Sequence, residues 1–216
     1  MREGGEVPDV VFRVVLPLFW LWLIVGVAAN RWHVLRQIGR DPIVIRPWQR
    51  AETPGGCLER TLSICTLLLM LDVVLNAIFP GVMAETLAVK ALRTSRAVGY
   101  FGLILLTTGF LLAAAAVRQM GASWRIGIDN QTPGPLVSRG LFSRMRHPIY
   151  SGMLLATAGI AGVSADLLSV TVAAAAWVGI PVQARLEEMF LLSRYPEEYP
   201  SYLEQTGRFW PRIPWP

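Results

Sequence analysis

Apolar residues in this chain gather into runs whose lengths carry the first inference. Val10 to Ala29, Leu58 to Phe79 and Val98 to Val117 are predominantly apolar. At about 1.5 Å of rise per residue each is long enough, as a helix, to cross the roughly 30 Å hydrocarbon core of a bilayer. Between His147 and Glu187 the chain is almost entirely Ala, Leu, Val, Ile, Gly and Thr, broken only near Gly162 to Asp166. Folding it at that break predicts two antiparallel helices, Pro148 to Val163 and Leu167 to Leu186, with His147 and Glu187 at one membrane face. Pro148 suits a first helical turn, and Pro181 predicts a kink or a freed carbonyl late in the last span. The expected fold is therefore all-α: a polytopic membrane helix bundle of about five transmembrane helices, ending in a C-terminal hairpin. Residues 1–117 form three N-terminal spans, and residues 118–216 form a catalytic half.

The polar segments orient the runs. The first run is too long for a signal peptide and follows acidic rather than basic residues, so it reads as a retained anchor. Arg31, Arg36, Arg40, Arg46 and Arg50 predict a cytoplasmic loop, and the more mixed link from Pro80 to Ala97 is expected outside. Arg118 to Arg146 is basic and rich in Gly and Pro, which predicts a cytoplasmic lid able to bring backbone close to a ligand. Five spans put the N terminus outside. Asp72 and Asn76, four residues apart on one helix face, read as a helix-to-helix hydrogen-bond pair or as substrate-facing groups. Tyr195, Tyr199, Tyr202, Arg208, Phe209 and Trp210 suit a headgroup layer. His33 is expected at the interface, Trp20, Trp22 and Trp177 in the core or against lipid. Trp124 is either a membrane anchor or a cofactor contact.

Composition agrees with the runs: 53% of the 216 residues are hydrophobic and only 16% charged, and a mean hydropathy of +0.45 excludes an ordinary soluble domain. A net charge of +5 could suggest nucleic acid. The basic residues are instead spread between apolar runs, as membrane orientation requires, so no nucleic-acid partner and no obligatory protein partner are expected. Cys57 and Cys65 have no CxxC spacing and are expected as free thiols.

Arg146, His147 and Tyr150 should meet Arg185, Glu187 and Glu188 across the hairpin. Charges at a membrane boundary are costly unless they pair or bind something, which makes this meeting the candidate site. One histidine with two consecutive carboxylates, about 100° apart on a helix, does not assemble a metal site, so none is expected. Hydrolysis lacks a GxSxG elbow. A carboxylate beside His and Tyr suits the ammonium or ribose of an amphiphilic cationic cofactor.

The ordered motifs, Leu136-Val137-Ser138-Arg139-Gly140-Leu141-Phe142 leading into Arg146-His147-Pro148-Ile149-Tyr150-Ser151-Gly152, then Arg185-Leu186-Glu187-Glu188 with Leu191, Tyr195, Tyr199 and Tyr202, resemble the isoprenylcysteine carboxyl methyltransferase family over roughly Met120 to Arg212. The resemblance implies a membrane methyltransferase with S-adenosyl-L-methionine bound in a pocket at the cytoplasmic side, and a lipophilic carboxylate, thiol or amine entering from the bilayer. By position, Gly134, Pro135, Leu136, Val137, Phe142, His147, Pro148, Ile149, Tyr150 and Glu187 correspond to cofactor-binding segments, and Arg185, Glu188 and Gln183 are the candidate catalytic residues. In one departure, Gln183 stands where the family often carries an arginine suited to a substrate carboxylate. Arg185 can take that contact if Pro181 kinks the helix. Membrane sterol reductases, which use NADPH, carry a similar RHP hairpin on a longer chain, and a non-catalytic scaffold is a third reading.

Overall fold

A computed structural model gives the structure of the chain and describes residues 11–43, 54–89, 92, 95–126 and 134–212. Regular structure among the described residues is helical. A wide π-type turn over Val11–Val15 leads into α1, Leu16–Ile38; α2 is Pro54–Ile78, α3 the short Pro80–Thr86, and α4 Arg96–Met120. The hairpin consists of α5, Pro148–Ser164, and α6, Leu167–Arg194, followed by α7, Tyr199–Gln205. Helices α1, α2, α4 and α6 are long and apolar enough to cross a membrane, and α5 is a shorter apolar helix of 17 residues. The chain is a polytopic membrane helix bundle.

Pro148 sits in the first turn of α5, where its missing N–H costs no hydrogen bond. The hairpin turns at Ala165, whose φ of 49° is left-handed, and Asp166 then caps α6 by accepting from Ser169 N at 2.8 Å. α6 continues through Pro181 without a break in its assignment, so the sequence-predicted kink does not interrupt it.

The most extensive pairing is α4 on α5, and four glycines make it possible. A Cβ at Gly102 would lie 2.8 Å from the Gly159 carbonyl, and one at Gly109 2.6 Å from Ala156 N. From the other side, a Cβ at Gly152 would lie 2.8 Å from the Ala113 Cβ, and one at Gly159 2.7 Å from the Gly102 carbonyl. The two backbones touch, which is how helices associate in lipid without a hydrophobic drive between them.

At the turn end of the hairpin, α2 meets α6 through buried polar groups. Asn76 Nδ2 donates to Asp72 Oδ1 and to Asp166 Oδ2, both at 3.1 Å, and Asp72 and Asp166 are fully buried. Of the two readings open for Asp72 and Asn76, the structure shows the helix-to-helix one. Val89 N bonds Ala165 O and Leu167 N bonds Leu87 O, so the segment after α3 closes over the same turn.

Two sequence-based expectations need correcting here. Arg31 and Arg36 belong to α1 rather than to a loop: Arg36 lies 3.6 Å over the Trp32 ring, and His33 pairs with Gln37 at 2.9 Å. Pairs at i, i+4 extend the helix past its apolar run until Gly39, at φ 68°, ends it. Arg46 and Arg50 lie outside the described residues. Tyr199 and Tyr202, read as headgroup aromatics, are buried under the end of the hairpin.

Gly152→Val is expected to destabilise the bundle by at least about 1–3 kcal/mol through overpacking. Gly26→Ala, at a position with nothing within 4 Å, should stay within about 1 kcal/mol of the parent. Unfolding titrations in mixed micelles check both; equal effects would remove the close-approach account.

Candidate functional site

The end of the bundle opposite the hairpin turn collects the two motifs and a returning tail. After α7 the chain runs beside residues 144–147: Arg146 N donates to Gly207 O at 2.8 Å, His147 N to Arg208 O at 3.0 Å, and Gly207 N to Arg144 O at 3.1 Å. This short parallel pairing fixes the backbone of Arg146-His147 before α5 starts. It also brings Arg208 to Glu188 and Phe209 to the His147 ring.

Glu188 is the hub of this end. Its side chain is 7% exposed, and it receives Arg146 Nε at 2.8 Å, Arg208 Nε at 3.1 Å and Arg208 Nη2 at 2.5 Å, with His147 Nε2 at 3.3 Å. A carboxylate this deeply buried persists only when its lone pairs are filled, and here two guanidinium groups fill them. Arg146 also donates to the Leu203 carbonyl at 3.2 Å and to the Thr206 carbonyl. One side chain thereby binds α6, the end of α7 and the first motif together.

The adjacent Glu187 is in a different position. Its carboxylate is 33% exposed and lies 3.9 Å from His147 Nδ1, and among the described residues no arginine or lysine pairs with it. Tyr150 lies near Glu187 and Gln183. The rings of His147 and Tyr150 stack with centroids 5.4 Å apart and planes 19° apart, and Phe209 closes on His147 at 6.1 Å. Glu188 holds the imidazole by one nitrogen, which leaves the other turned toward Glu187.

The segment from Gly134 to Phe142 approaches the same end. Tyr195 donates its hydroxyl to the Gly134 carbonyl, Ser123 Oγ to the Pro135 carbonyl at 3.3 Å, and Tyr202 its hydroxyl to the Phe142 carbonyl at 2.7 Å. A Cβ on Gly134 would sit 2.8 Å from Ser123 Oγ and 3.2 Å from its Cα, so a side chain there would require Ser123 to shift. Leu141 N is held by Gln119 Oε1 at 2.7 Å. Leu136, Val137 and Ile149 are partly buried, while Phe142 and Pro148 are buried. Trp124, 4% exposed, is packed inside rather than dipping into a membrane.

Gln183 is buried on the inner side of α6. Arg185 is exposed, and two residues along a helix are about 200° apart, so the two side chains point to opposite sides. With α6 unbroken at Pro181, Arg185 is not brought to the cluster. Arg208 and Phe209 were not singled out from sequence as site residues.

Arg146→Met is expected to cost about 3–5 kcal/mol because it leaves Glu188 underpaired in a buried place; equilibrium unfolding measures it. Burial raises the Tyr202 phenol to about 12 and pushes Tyr199 upward as well. An unfolded tyrosine ionises near about pH 10. Their contribution to stability is therefore complete below about pH 10 and is lost as pH rises toward about 12. Stability measured across that range should fall, and Tyr202→Phe should flatten part of the fall.

Comparison with known proteins bears on the same half of the chain. Residues 98–198 match the family model described as phospholipid methyltransferase. The cobalt-zinc-cadmium resistance protein CzcN of Cupriavidus metallidurans is 33% identical over 112 residues, 51% of this chain and 50% of that protein. Protein-S-isoprenylcysteine O-methyltransferase A of Arabidopsis thaliana is 29% identical over 128 residues, covering 58% of this chain and 65% of the relative. A probable protein-S-isoprenylcysteine O-methyltransferase of Oryza sativa subsp. indica is 28% identical over 127 residues, covering 57% and 66%. The chain thus spans between half and two thirds of the length of these relatives. The solved structure of a eukaryotic intramembrane Ras methyltransferase, isoprenylcysteine carboxyl methyltransferase, superposes with a TM-score of 0.54 at 21% identity, over 72% of this chain and 53% of that one, which establishes a shared fold. Across residues 98–198 the chain therefore matches the phospholipid methyltransferase family, and in its relatives and its fold it is like the isoprenylcysteine carboxyl methyltransferases.

Proposed function

We propose that this protein is an S-adenosyl-L-methionine-dependent membrane methyltransferase, its cofactor entering from the cytosol and a lipophilic acceptor from the bilayer. The observation that carries this reading is the contrast between two neighbouring carboxylates. Glu188 is consumed by Arg146 and Arg208, while Glu187 stands partly exposed beside the stacked rings of His147 and Tyr150.

The donor set fits the cofactor's chemistry. Glu187 can accept from an amino-acid ammonium or from ribose hydroxyls, and the aromatic faces suit a cationic neighbour. Backbone from Pro135 to Val137 can read an adenine edge, on a segment fixed by Ser123 and Tyr195. When bound, S-adenosyl-L-methionine supplies an electrophilic methyl group. The chain's own task is to hold an acceptor near contact and exclude water, and positioning of that kind is worth at most about 7–11 kcal/mol. Glu188 acts in this reading through His147, as a positioning residue. Residues 1–117 serve as the scaffold against which the catalytic half, residues 118–216, is set.

S-adenosylhomocysteine is expected to raise the melting temperature of the purified protein in lipid discs. Glu187→Gln should weaken its binding by about 10- to 100-fold while the protein still folds. Stabilisation by NADPH in place of S-adenosylhomocysteine, or normal affinity in the Glu187 variant, would overturn the assignment.

A further inference from the structure

The polar groups buried at the hairpin turn lie at the end of the bundle opposite the candidate active site and take no part in its chemistry. Asp72 and Asp166 are fully buried, and each places a carboxylate oxygen 3.1 Å from the same nitrogen, Asn76 Nδ2. That nitrogen is also 3.1 Å from the Asp72 carbonyl, so its two hydrogens are offered to three acceptors. Ser169 N supplies Asp166 Oδ1 at 2.8 Å, while the Ser169 hydroxyl donates to the Asp166 carbonyl. These donors are all neutral. The ion pairs of the described residues are elsewhere, at Arg31 with Asp41 and around Glu187 and Glu188.

Two oxygen atoms of the cluster are left over. Asp72 Oδ2 and Ser164 Oγ are buried without a hydrogen-bond partner, and Ser164 is 1% exposed. Ser164 lies near Asp72, and the residues beside them in sequence, Val73 and Val163, share one buried apolar cluster.

The surroundings add negative charge rather than removing it. Ser164 ends α5 and Asn76 stands in the last turn of α2, and neither helix has a basic residue in that turn. The unpaired carbonyls of a helix C-terminus carry partial negative charge. The start of α6 offsets part of it where Asp166 caps that helix. Solvent does not reach the cluster: the backbone of Leu87 and Val89 bonds Leu167 and Ala165 across the turn, and Val73, Val163 and Val172 pack on the inner side. Buried carboxylates without a countercharge are costly, so an added cation recovers that cost.

The available donors select the kind of cation. Carboxylate, hydroxyl and backbone carbonyl oxygens are hard ligands, which suit alkali and alkaline-earth ions rather than zinc or copper. Calcium takes about six to eight oxygens and magnesium keeps several waters. Among the described residues no group of three or more His, Cys, Asp or Glu gathers to hold such an ion. A monovalent ion is the remaining case, and carbonyls at helix C-terminal ends are the groups that hold sodium within membrane proteins.

We infer that Asp72, Asp166 and Ser164 form a binding site for a dehydrated alkali cation, which locks α2 to the turn of the hairpin.

The test melts the full chain in lipid discs in sodium, potassium and choline chloride at equal ionic strength. At least one of the alkali ions is expected to stabilise the protein relative to choline. The melting temperature should rise by about 3–6 °C for each tenfold increase above the dissociation constant. Asp72→Asn and Asp166→Asn, which keep side-chain size and, at Asp166, the cap, should melt alike in all three salts. Ser164→Ala should need about tenfold more of the ion for the same shift. Asp41→Asn, which removes an exposed carboxylate, should keep the full shift. Where sodium is the stabilising ion, equilibrium binding of radiolabelled sodium should give one ion per chain in the parent and none in Asp72→Asn. Equal melting of the parent in alkali and choline salts, the result if a proton on one carboxyl supplies the missing charge, overturns the inference. So does an alkali shift that survives in both Asn variants, or saturating stabilisation by trace calcium in place of the alkali ions. Should the Asn variants fail to fold, the salt series on the parent and on Ser164→Ala decides.

Discussion

A single buried negative charge organises the working end of this protein. Glu188 sits where a carboxylate cannot be left without partners, and the groups that satisfy it come from two separated parts of the chain: Arg146 and His147 before α5, and Arg208 after α7. Ion pairs of this kind add little net stability over an apolar replacement. What this one supplies is placement. Because each partner is itself tied to backbone, filling the lone pairs of Glu188 fixes the start of α5, the imidazole that faces Glu187, and the path of the tail.

The rest of the bundle makes that placement rigid. The glycine contacts between α4 and α5 permit one separation and one register, so the ends of the connection between them are anchored by packing. The Asp72, Asn76 and Asp166 cluster ties the opposite end of the hairpin to α2. Two polar knots, one at each end, with a dry and close-packed middle, suit a membrane domain in which helices gain little from burying apolar surface against one another.

Much of this was legible in the sequence because lengths and breaks are strong signals in a membrane chain. Apolar runs of bilayer length, a polar interruption at Gly162 to Asp166, and charges just outside both arms were enough to predict the hairpin and the meeting of His147 with the Glu187-Glu188 pair. Adjacent carboxylates could not be told apart in this way. Which of them is consumed depends on Arg208, and nothing in periodicity shows that the tail returns to pair with residues 144–147. The same gap explains why Tyr199 and Tyr202 read as headgroup aromatics: an aromatic beside charges looks the same in sequence whether it faces lipid or a core. Arg31 and Arg36 were assigned to a loop because hydropathy marks where a membrane core ends, while a helix ends where its hydrogen bonds and side-chain pairs do.

The returning tail has a consequence for biogenesis. Arg208 is made 20 residues after the carboxylate it binds, and residues 206–209 supply the backbone that sets the first motif. Synthesis proceeds from the N terminus, so Arg146, His147 and Glu188 enter the bilayer before their last partner exists. Ligand-binding competence should therefore arise late and abruptly, on completion of the chain rather than on insertion of the last span. A nascent protein stalled just short of Arg208 would be threaded through the membrane and still inert.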